Sequence, residues 1–386
     1  MNARQYSLFS ILSIFLTVAV FVELMGAGSA HAGAADPRHM VTVYSEALSL
    51  DRKYASMEGP SFVQRVYLAS QSEPELLWLT AIDVSVVDGD DDAKMMPAEL
   101  ICHSNLVLFS EARLEFGWQD RNRSRVFTLS QGQASIRVPD GFGLPIRSDE
   151  ALILESMALN PYDEYIGSDV RTKTTLTFIR EAERTAPITP LRMRYVQAYV
   201  SIDEAPRYFR VESHKEHFIP NETFVPITSS AAEGFPEVTK GKDAGGHGVT
   251  HGITTELGER LSDHWIVPPG RSEVRTMANF MIGSTGDLNV HYISGHLHPY
   301  ASSIEIRDMT TDSSVFRSSI EWTPDDKALK KIQNFSDDEP LTLHADHDYE
   351  LVSIYNNTSD ADVTAMAVMY LFAVDNNFNA ARLMQW

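Results

Sequence analysis

The stretch NVHYISGHLHPY, residues 289–300, decides the fold prediction because it has the pattern of a β-strand that ends in a histidine pair. Side chains alternate between the two faces of a strand, so His296 and His298 should project to the same side. A second apolar run, AMAVMYLF at 365–372, supplies a thioether at Met366. Two imidazoles and a soft sulfur suit copper better than zinc, calcium or magnesium. The pattern therefore predicts a copper site at His296, His298 and Met366.

Other interpretations of these residues remain open. Core packing is the alternative interpretation of Met366, because methionine fills gaps in hydrophobic cores. Met369 is a competing methionine, although strand alternation points it to the opposite face from Met366. A zinc hydrolase needs a third ligand and an open water position, for which His347 or Asp346 could serve. No nucleophile elbow, Walker loop or dinucleotide fingerprint occurs in the sequence.

Short runs rich in β-branched and aromatic residues recur along the whole chain, separated by Gly, Pro, Asp and Asn. Their spacing is typical of antiparallel sandwiches and barrels. Amphipathic helical patterns are scarce, and short helices are predicted only at 325–333 and 376–384. The sequence therefore predicts an all-β protein. Propensity alone does not distinguish a jelly roll from an immunoglobulin-like sandwich.

The chain length indicates two domains, because about 350 residues after an export signal exceed what one hydrophobic core normally organises. The segment REAERTAPITP, residues 180–190, is polar, contains proline and separates two groups of strands. It predicts a boundary between an N-terminal β-sandwich domain at 41–182 and a C-terminal domain at 190–386.

The N-terminus has the pattern of a signal peptide at 1–32. Arg4 provides a short basic region, an apolar core follows at 8–22, and Ala30-His31-Ala32 precedes a predicted cut before Gly33. An uncleaved anchor is the alternative. The mature protein is expected to be exported, either to a periplasm or to the exterior, without stable membrane insertion.

Charge and cysteine content restrict the partners and the stabilising bonds. The formal net charge of −21 argues against nucleic acid or anionic lipid as a partner, since both need a basic surface. Cys102 is the single cysteine, so an intrachain disulfide is impossible. A chain without disulfides fits a bacterial envelope protein at least as well as an animal secreted one.

Several motifs in the second half occur in a suggestive order, namely VPPGR (267–271), GHLHPY (295–300), DYELVSIYNNTSD (348–360) and AMAVMYLF (365–372). Together they resemble the C-terminal half of the copper type II, ascorbate-dependent monooxygenases, which include peptidylglycine α-hydroxylating monooxygenase and dopamine β-monooxygenase. The resemblance implies two jelly-roll β-sandwich domains side by side. It also implies copper as the cofactor, because in that family a His-x-His pair and a later methionine hold the copper that activates dioxygen. A small-molecule or peptide substrate and a small reductant or protein electron donor would be the partners.

The first half resembles the same family more faintly, at a second copper site that receives electrons. ELICHSNLVLF (99–109) is similar to the strand with two adjacent histidines, but here the pair is Cys102 and His103. SMALNPYD (156–163) is similar to the strand with the third histidine, and Asn160 stands in its place. Cys102, His103 and Asn160 are therefore weaker metal candidates. Adjacent strand residues point to opposite faces unless the strand is bulged.

Relative to the same family, residues 203–264 resemble an insertion. Its motifs ESHKEHF and DAGGHGVTHG contain His214, His217, His247 and His251. An insertion at this point could fold over the metal site or face solvent.

Three functions are compatible with these patterns. The leading hypothesis is an exported, monooxygenase-like copper oxidoreductase with a mononuclear His/His/Met site. The alternative is a non-catalytic copper-binding or copper-handling envelope protein, favoured by the loss of two of the three histidines of the second site. The third is an interaction or carbohydrate-binding module in which the histidines have no special role.

Overall fold

Strands dominate the regular structure of the computed structural model, which describes residues 36–54, 56, 58–108, 125–201, 252–254 and 260–385. In chain order the strands are β1 (His39–Tyr44), β2 (Leu48–Leu50), β3 (Ser61–Val66), β4 (Leu76–Asp88), β5 (Met95–Met96), β6 (Ile101–Leu108), β7 (Arg125–Ser130), β8 (Ser135–Arg137), β9 (Phe142–Arg147), β10 (Leu152–Ala158), β11 (Ser168–Arg180), β12 (Thr189–Gln197) and β13 (Val200–Ser201). They continue with β14 (Gly252–Thr254), β15 (Arg260–Ser262), β16 (Trp265–Val267), β17 (Gly270–Met277), β18 (Leu288–Leu297), β19 (Ala301–Asp308), β20 (Ser313–Trp322), β21 (Leu329–Ile332), β22 (Phe335–Leu343), β23 (Tyr349–Asn357), β24 (Val363–Ala365) and β25 (Ala367–Val374). The α-helices among these residues are short, at Asn279–Ile282 and Ala380–Met384. The predicted all-β class is confirmed.

The largest sheet runs through both halves of the sequence in the order β1-β11-β4-β9-β12-β25-β18-β22. Its two parts meet where β12 pairs with β9 in parallel, through Thr189 with Phe142 and Pro190 with Gly143. A four-stranded sheet, β3-β10-β6-β7, and a five-stranded sheet, β17-β23-β19-β20-β21, complete the layers.

Two hydrophobic clusters fill the spaces between these sheets. The first cluster joins β4, β9 and β11 of the large sheet to the four-stranded sheet, and includes Ile82, Leu106 and Phe127. The second cluster joins β18 and β25 to the five-stranded sheet, and includes Ile304 and Leu351. Two layered β-sandwiches result. By their contacts, residues 37–386 form one compact unit, and the predicted domain bounds at 182 and 190 stay a prediction.

Strand β25 is buried on both faces. Val368, Tyr370 and Phe372 belong to the first cluster, whereas Met369 and Leu371 belong to the second. A strand covered on both sides needs apolar residues at every position. This double burial explains why the run at 365–372 lacks polar alternation.

Strand β18, the neighbour of β25, contains a β-bulge. Val290 pairs with Ala373 and Tyr292 pairs with Phe372, so His291 is an extra residue without a partner in the ladder. Such an insertion shifts the alternation of the side chains that follow. Beyond the bulge, Tyr292 faces the first cluster.

One of the two predicted helices is wrong. Residues 325–333 contain strand β21, in which Leu329 and Ile332 are buried and Lys330 and Lys331 are exposed. This spacing of apolar residues also fits a helix, but pairing with β20 makes it a strand. The other prediction, 376–384, contains the helix Ala380–Met384, whose first turn is capped by Asn379.

Some predictions concern residues that the structure does not describe. The signal peptide at 1–32 lies outside the described residues, as do 203–251 and 255–259 of the predicted insertion. Within the described ranges, no helix combines the length and the apolar character needed to cross a membrane.

Alanine substitutions on the two faces of β25 should both destabilise the protein strongly. Phe372 and Leu371 are fully buried, each in a different cluster. Removing these side chains leaves cavities, so we expect losses of about 3–5 kcal/mol for Phe372→Ala and about 2–5 kcal/mol for Leu371→Ala. Urea unfolding of each variant measures the free energy directly.

Met40→Ala is the control, since Met40 is 70% exposed in an outer strand. Its free energy of unfolding should stay within about 0.5 kcal/mol of the wild-type value. A loss below about 1 kcal/mol for either β25 variant would show that one face of the strand is not buried.

Candidate functional site

His296 and His298 lie at the end of β18, on the face opposite to Leu297, which belongs to the second cluster. Their ring centroids are 5.7 Å apart and the rings are nearly perpendicular, at 87°. Both are buried, with exposed fractions of 5% for His296 and 2% for His298. The structure therefore brings the two imidazoles together, inside the protein rather than at its surface.

A third histidine, His264, contacts this pair. Its ring centroid lies 5.4 Å from that of His298. Its Nδ1 atom is 2.7 Å from Oδ1 of Asp263, and Gln197 donates a hydrogen bond of 2.6 Å to the other oxygen of that carboxylate. A carboxylate on Nδ1 fixes the ring and leaves Nε2 as the nitrogen with the lone pair. The sequence analysis did not select His264, and the Asp-His pair before strand β16 was the signal that could have identified it.

The fourth histidine, His103, comes from β6 at a bulge. His103 pairs with Met157 and Ile101 pairs with Ala158, so Cys102 is an extra residue in the strand. The bulge provides the condition under which adjacent residues can face one site. A charge on His103 would lower the pKa of both His296 and His298, which places it near the two rings. We refer to His103, His264, His296 and His298 as the histidine cluster.

Ser56 connects the histidine cluster to the cysteine. Its Oγ atom is 3.0 Å from Nε2 of His298 and 3.6 Å from Sγ of Cys102. The other ring nitrogen of His298, Nδ1, lies 3.4 Å from the backbone oxygen of Thr364. Nothing in the local sequence around Ser56 predicted this contact.

Burial keeps the central imidazoles neutral. Desolvation, assisted by the proximity of His264, lowers the pKa of His298 to about 3. Desolvation together with His298, His103 and Arg125 lowers the pKa of His296 well below its ordinary value. With so low a pKa, His298 is a poor general base for the Ser56 hydroxyl. Neutral imidazoles are instead suited to bind a metal ion.

Nδ1 of His296 is buried and has no hydrogen-bond partner. Burying a polar atom without a partner costs about 1–3 kcal/mol. Buried polar atoms without a partner are rare in native proteins, and a bound ion or water molecule is one established explanation for them.

Met366 lies just before β25, where the ladder with β18 ends at the pair Leu297 and Ala367. The Tyr355 hydroxyl joins its backbone to that of His298, because it accepts from the N–H of His298 at 3.2 Å and donates to the oxygen of Met366 at 2.5 Å. Met366 packs against the first cluster, whereas Met369 is buried in the second. Of the two methionines, only Met366 is on the face that carries the histidines.

Asn160 is occupied with structural hydrogen bonds. Its Nδ2 donates to the backbone oxygen of Arg52, and its Oδ1 accepts from the backbone N–H of Tyr162. Asn160 also bridges to Tyr54 through its backbone. Both ends of the amide therefore hold loops in place.

Other candidate residues lie in different surroundings. His347 bonds through Nδ1 to Asp308, not to the histidine cluster. His291 stacks on Phe142 and contacts the backbone oxygen of Asp337, as expected of a structural residue. His214, His217, His247 and His251 of the predicted insertion lie outside the described residues.

The spacing of the rings is compatible with a shared ion, although the nitrogen atoms do not point at one position. Among the described residues, no three His, Cys, Asp or Glu side chains are arranged as ligands of one metal. With metal–nitrogen bonds of about 2.0 Å, two imidazoles on one ion have their centroids roughly 5–6 Å apart. The separations of 5.7 and 5.4 Å fall in this range.

Comparisons with known proteins give no family. No protein-family model matches the chain, and no curated protein sequence does. Solved structures that match include N-glycanase F (PNGase F), with a TM-score of 0.32 and 8% identity over 87% of this chain and 96% of that one. A peptide-N(4)-(N-acetyl-β-D-glucosaminyl)asparagine amidase has a TM-score of 0.33 and 7% identity over 89% and 98% of the two chains. The major capsid protein P2 of bacteriophage PM2 has a TM-score of 0.26 and 9% identity over 88% and 100%. Likenesses with TM-scores this low carry no inference about the activity of this chain.

These findings correct the family resemblance drawn from the sequence. The matching structures are N-glycanases and a capsid protein, not copper monooxygenases, and no family model supports that group. The assignment to the copper monooxygenase family is therefore wrong, and the oxidoreductase function that it implied stays a prediction without that support. The resemblance was misleading for a physical reason. One of its motifs, the apolar run at 365–372, is explained by the burial of β25 on both faces and needs no family relationship. Copper ligands inferred from the family lose that support.

Replacing His298 by glutamine should make stability less dependent on pH in protein kept metal-free with a chelator. The pKa of His298 is lowered to about 3 in the folded state, so below about pH 6.5 the unfolded chain takes up a proton that the folded chain does not. The stability linked to this group is complete above pH 6.5 and is lost as pH falls toward 3, at up to about 1.4 kcal/mol per pH unit. Urea unfolding between pH 7 and pH 4.5 gives the slope for wild type and variant.

His39→Gln is the control, because His39 is a half-buried histidine bonded to Glu183 in an outer strand. It should retain more of the wild-type slope than His298→Gln does. An unchanged slope in His298→Gln would mean that His298 is protonated in the folded protein.

Proposed function

We propose that the protein binds a transition-metal ion in the histidine cluster, and that copper(I) is the preferred ion. The observation that carries the proposal is the buried Nδ1 atom of His296, which has no hydrogen-bond partner. It lies in a ring whose centroid is 5.7 Å from that of His298. A bound ion would give this desolvated nitrogen a partner. It would thereby remove the free-energy cost of burying the nitrogen without a hydrogen bond.

The protonation state supports the same proposal. Metal ligands must be neutral imidazoles, and protons normally compete with the ion. At His296 and His298 burial already excludes the proton near pH 7, since both pKa values are lowered. The desolvation that disfavours the imidazolium therefore favours metal binding.

Nearby sulfur atoms favour copper(I) among the transition metals. Cys102 lies in the bulge of β6 beside Ser56, and the backbones of Met366 and His298 are joined through the Tyr355 hydroxyl. Thiolate and thioether are soft ligands that select copper(I), whereas zinc is satisfied by nitrogen and oxygen as well.

The surroundings indicate storage or transfer of the ion. Both central histidines are buried, and the Ser56 hydroxyl is in contact with Nε2 of His298. An ion using this nitrogen must first displace the hydroxyl, so exchange should be slow. Such a role needs no substrate and no electron donor. The predicted signal peptide at 1–32 would place it in the periplasm or outside the cell.

A competition titration tests the proposal. Purified protein is titrated anaerobically with copper(I) against a chromophoric chelator, in parallel with zinc(II). Wild type should bind close to one equivalent of copper(I) at the cluster, and His296→Gln/His298→Gln should lose at least about 100-fold in affinity, because two of the nitrogen ligands are gone. X-ray absorption of the copper-loaded protein would show sulfur scattering that disappears in Cys102→Ser or in Met366→Leu.

Matched variants separate ligand loss from damage to the fold. His39→Gln removes a histidine away from the cluster and should bind copper(I) as wild type does. Ser56→Ala removes the competing hydroxyl and should bind about fivefold more tightly, in line with the loss of one hydrogen bond. The proposal is wrong if wild type binds no metal, or if the double variant binds copper(I) as tightly as His39→Gln does.

A further inference from the structure

A second pair of histidines lies at the other end of β18 from the histidine cluster. His344 and His347 occupy the turn between β22 and β23, which is closed by a hydrogen bond of 3.2 Å from the backbone N–H of His347 to the oxygen of His344. Their ring centroids are 5.0 Å apart. Unlike the histidine cluster, this pair is open to solvent, with side-chain exposures of 49% and 21%.

Each of these rings is held by its own carboxylate. Nδ1 of His344 is 3.1 Å from Asp287 and Nδ1 of His347 is 2.6 Å from Asp308. In the neutral ring the proton then resides on Nδ1, and the lone pair is on Nε2. Metal-binding histidines are oriented in this way by carboxylates, which also increase the basicity of the ligand nitrogen.

The orienting carboxylates are themselves fixed by backbone hydrogen bonds. Oδ1 of Asp287 accepts from the N–H of Ala345 at 2.9 Å. Oδ1 of Asp308 accepts from the N–H groups of Thr310 and Thr311 at 2.9 and 3.1 Å. Each carboxylate therefore has one oxygen held by the backbone and the other on an imidazole. Ligands fixed in this way lose little freedom when an ion binds.

An additional carboxylate lies beside the pair, although these three side chains are not arranged around one point as they stand. Oδ1 of Asp346 lies 3.9 Å from Nε2 of His347, and its side chain is 90% exposed. With Asp287 and Asp308, it gives two imidazoles three acidic neighbours, a surplus that attracts a dication. Turning Asp346 toward the rings would supply an oxygen ligand beside the two nitrogens.

The geometry points to a surface site for a divalent transition-metal ion such as zinc(II), bound by His344, His347 and Asp346 and completed by water. Two imidazoles with one carboxylate and an open position are a ligand set that zinc accepts. Strand β18 runs from Leu288 to Leu297, so the site lies roughly 30 Å from the buried histidines. It is therefore independent of the proposed copper(I) site.

Zinc(II) binding to the full chain by isothermal titration calorimetry tests this site, on a His296→Gln/His298→Gln background so that the buried cluster contributes nothing. We expect one zinc(II) to bind, and His344→Gln/His347→Gln to abolish the binding. Asp287→Asn removes only an orienting group, and should weaken binding about 10- to 100-fold while leaving both ligand histidines present.

The control is His39→Gln, which removes an outer-strand histidine that also bonds to a carboxylate, that of Glu183. It should bind zinc(II) as the parent does. Thermal unfolding of each variant confirms that the fold is retained. The site is refuted if the parent binds no zinc(II), or if His344→Gln/His347→Gln binds zinc(II) as tightly as His39→Gln. Either result leaves the copper(I) titration of the wild-type protein unaffected.

Discussion

The pairing of β18 with β25 is the constraint on which the rest of the structure depends. This antiparallel ladder lies inside the large sheet, between β12 and β22, and both of its faces are covered, one by each hydrophobic cluster. Every side chain on it is therefore withdrawn from water, and any polar side chain must be neutral or bonded. His296 and His298 are placed at the end of this ladder. Their low pKa values follow first from the desolvation at that position, to which the neighbouring histidines add.

The sequence predicted those features that depend on strand periodicity. The all-β class, the common projection of His296 and His298 and the opposite orientations of Met366 and Met369 all follow from alternation along a strand. Prediction failed where two patterns coincide. In β21, two apolar residues three positions apart fit the pattern of a helix as well as that of an edge strand. Pairing with β20 makes this segment a strand.

The rest of the candidate site depended on contacts between residues far apart in the chain. Ser56 reaches His298 across 242 residues, and no local pattern indicates such a contact. The bulge that carries Cys102 arises from register with β10, which a single strand does not reveal. The family resemblance failed for a related reason, because apolar runs such as 365–372 are a general property of strands buried on both sides.

The sharing of β25 between the clusters has a consequence for how the protein responds to heat. Tyr370 and Phe372 form part of one core while Leu371, between them, forms part of the other. Unfolding of either sandwich would expose its face of β25 to water and would remove support from the core of the other sandwich. The two layers should therefore denature in one cooperative calorimetric transition, so that neither half persists as a folded fragment when the other is lost.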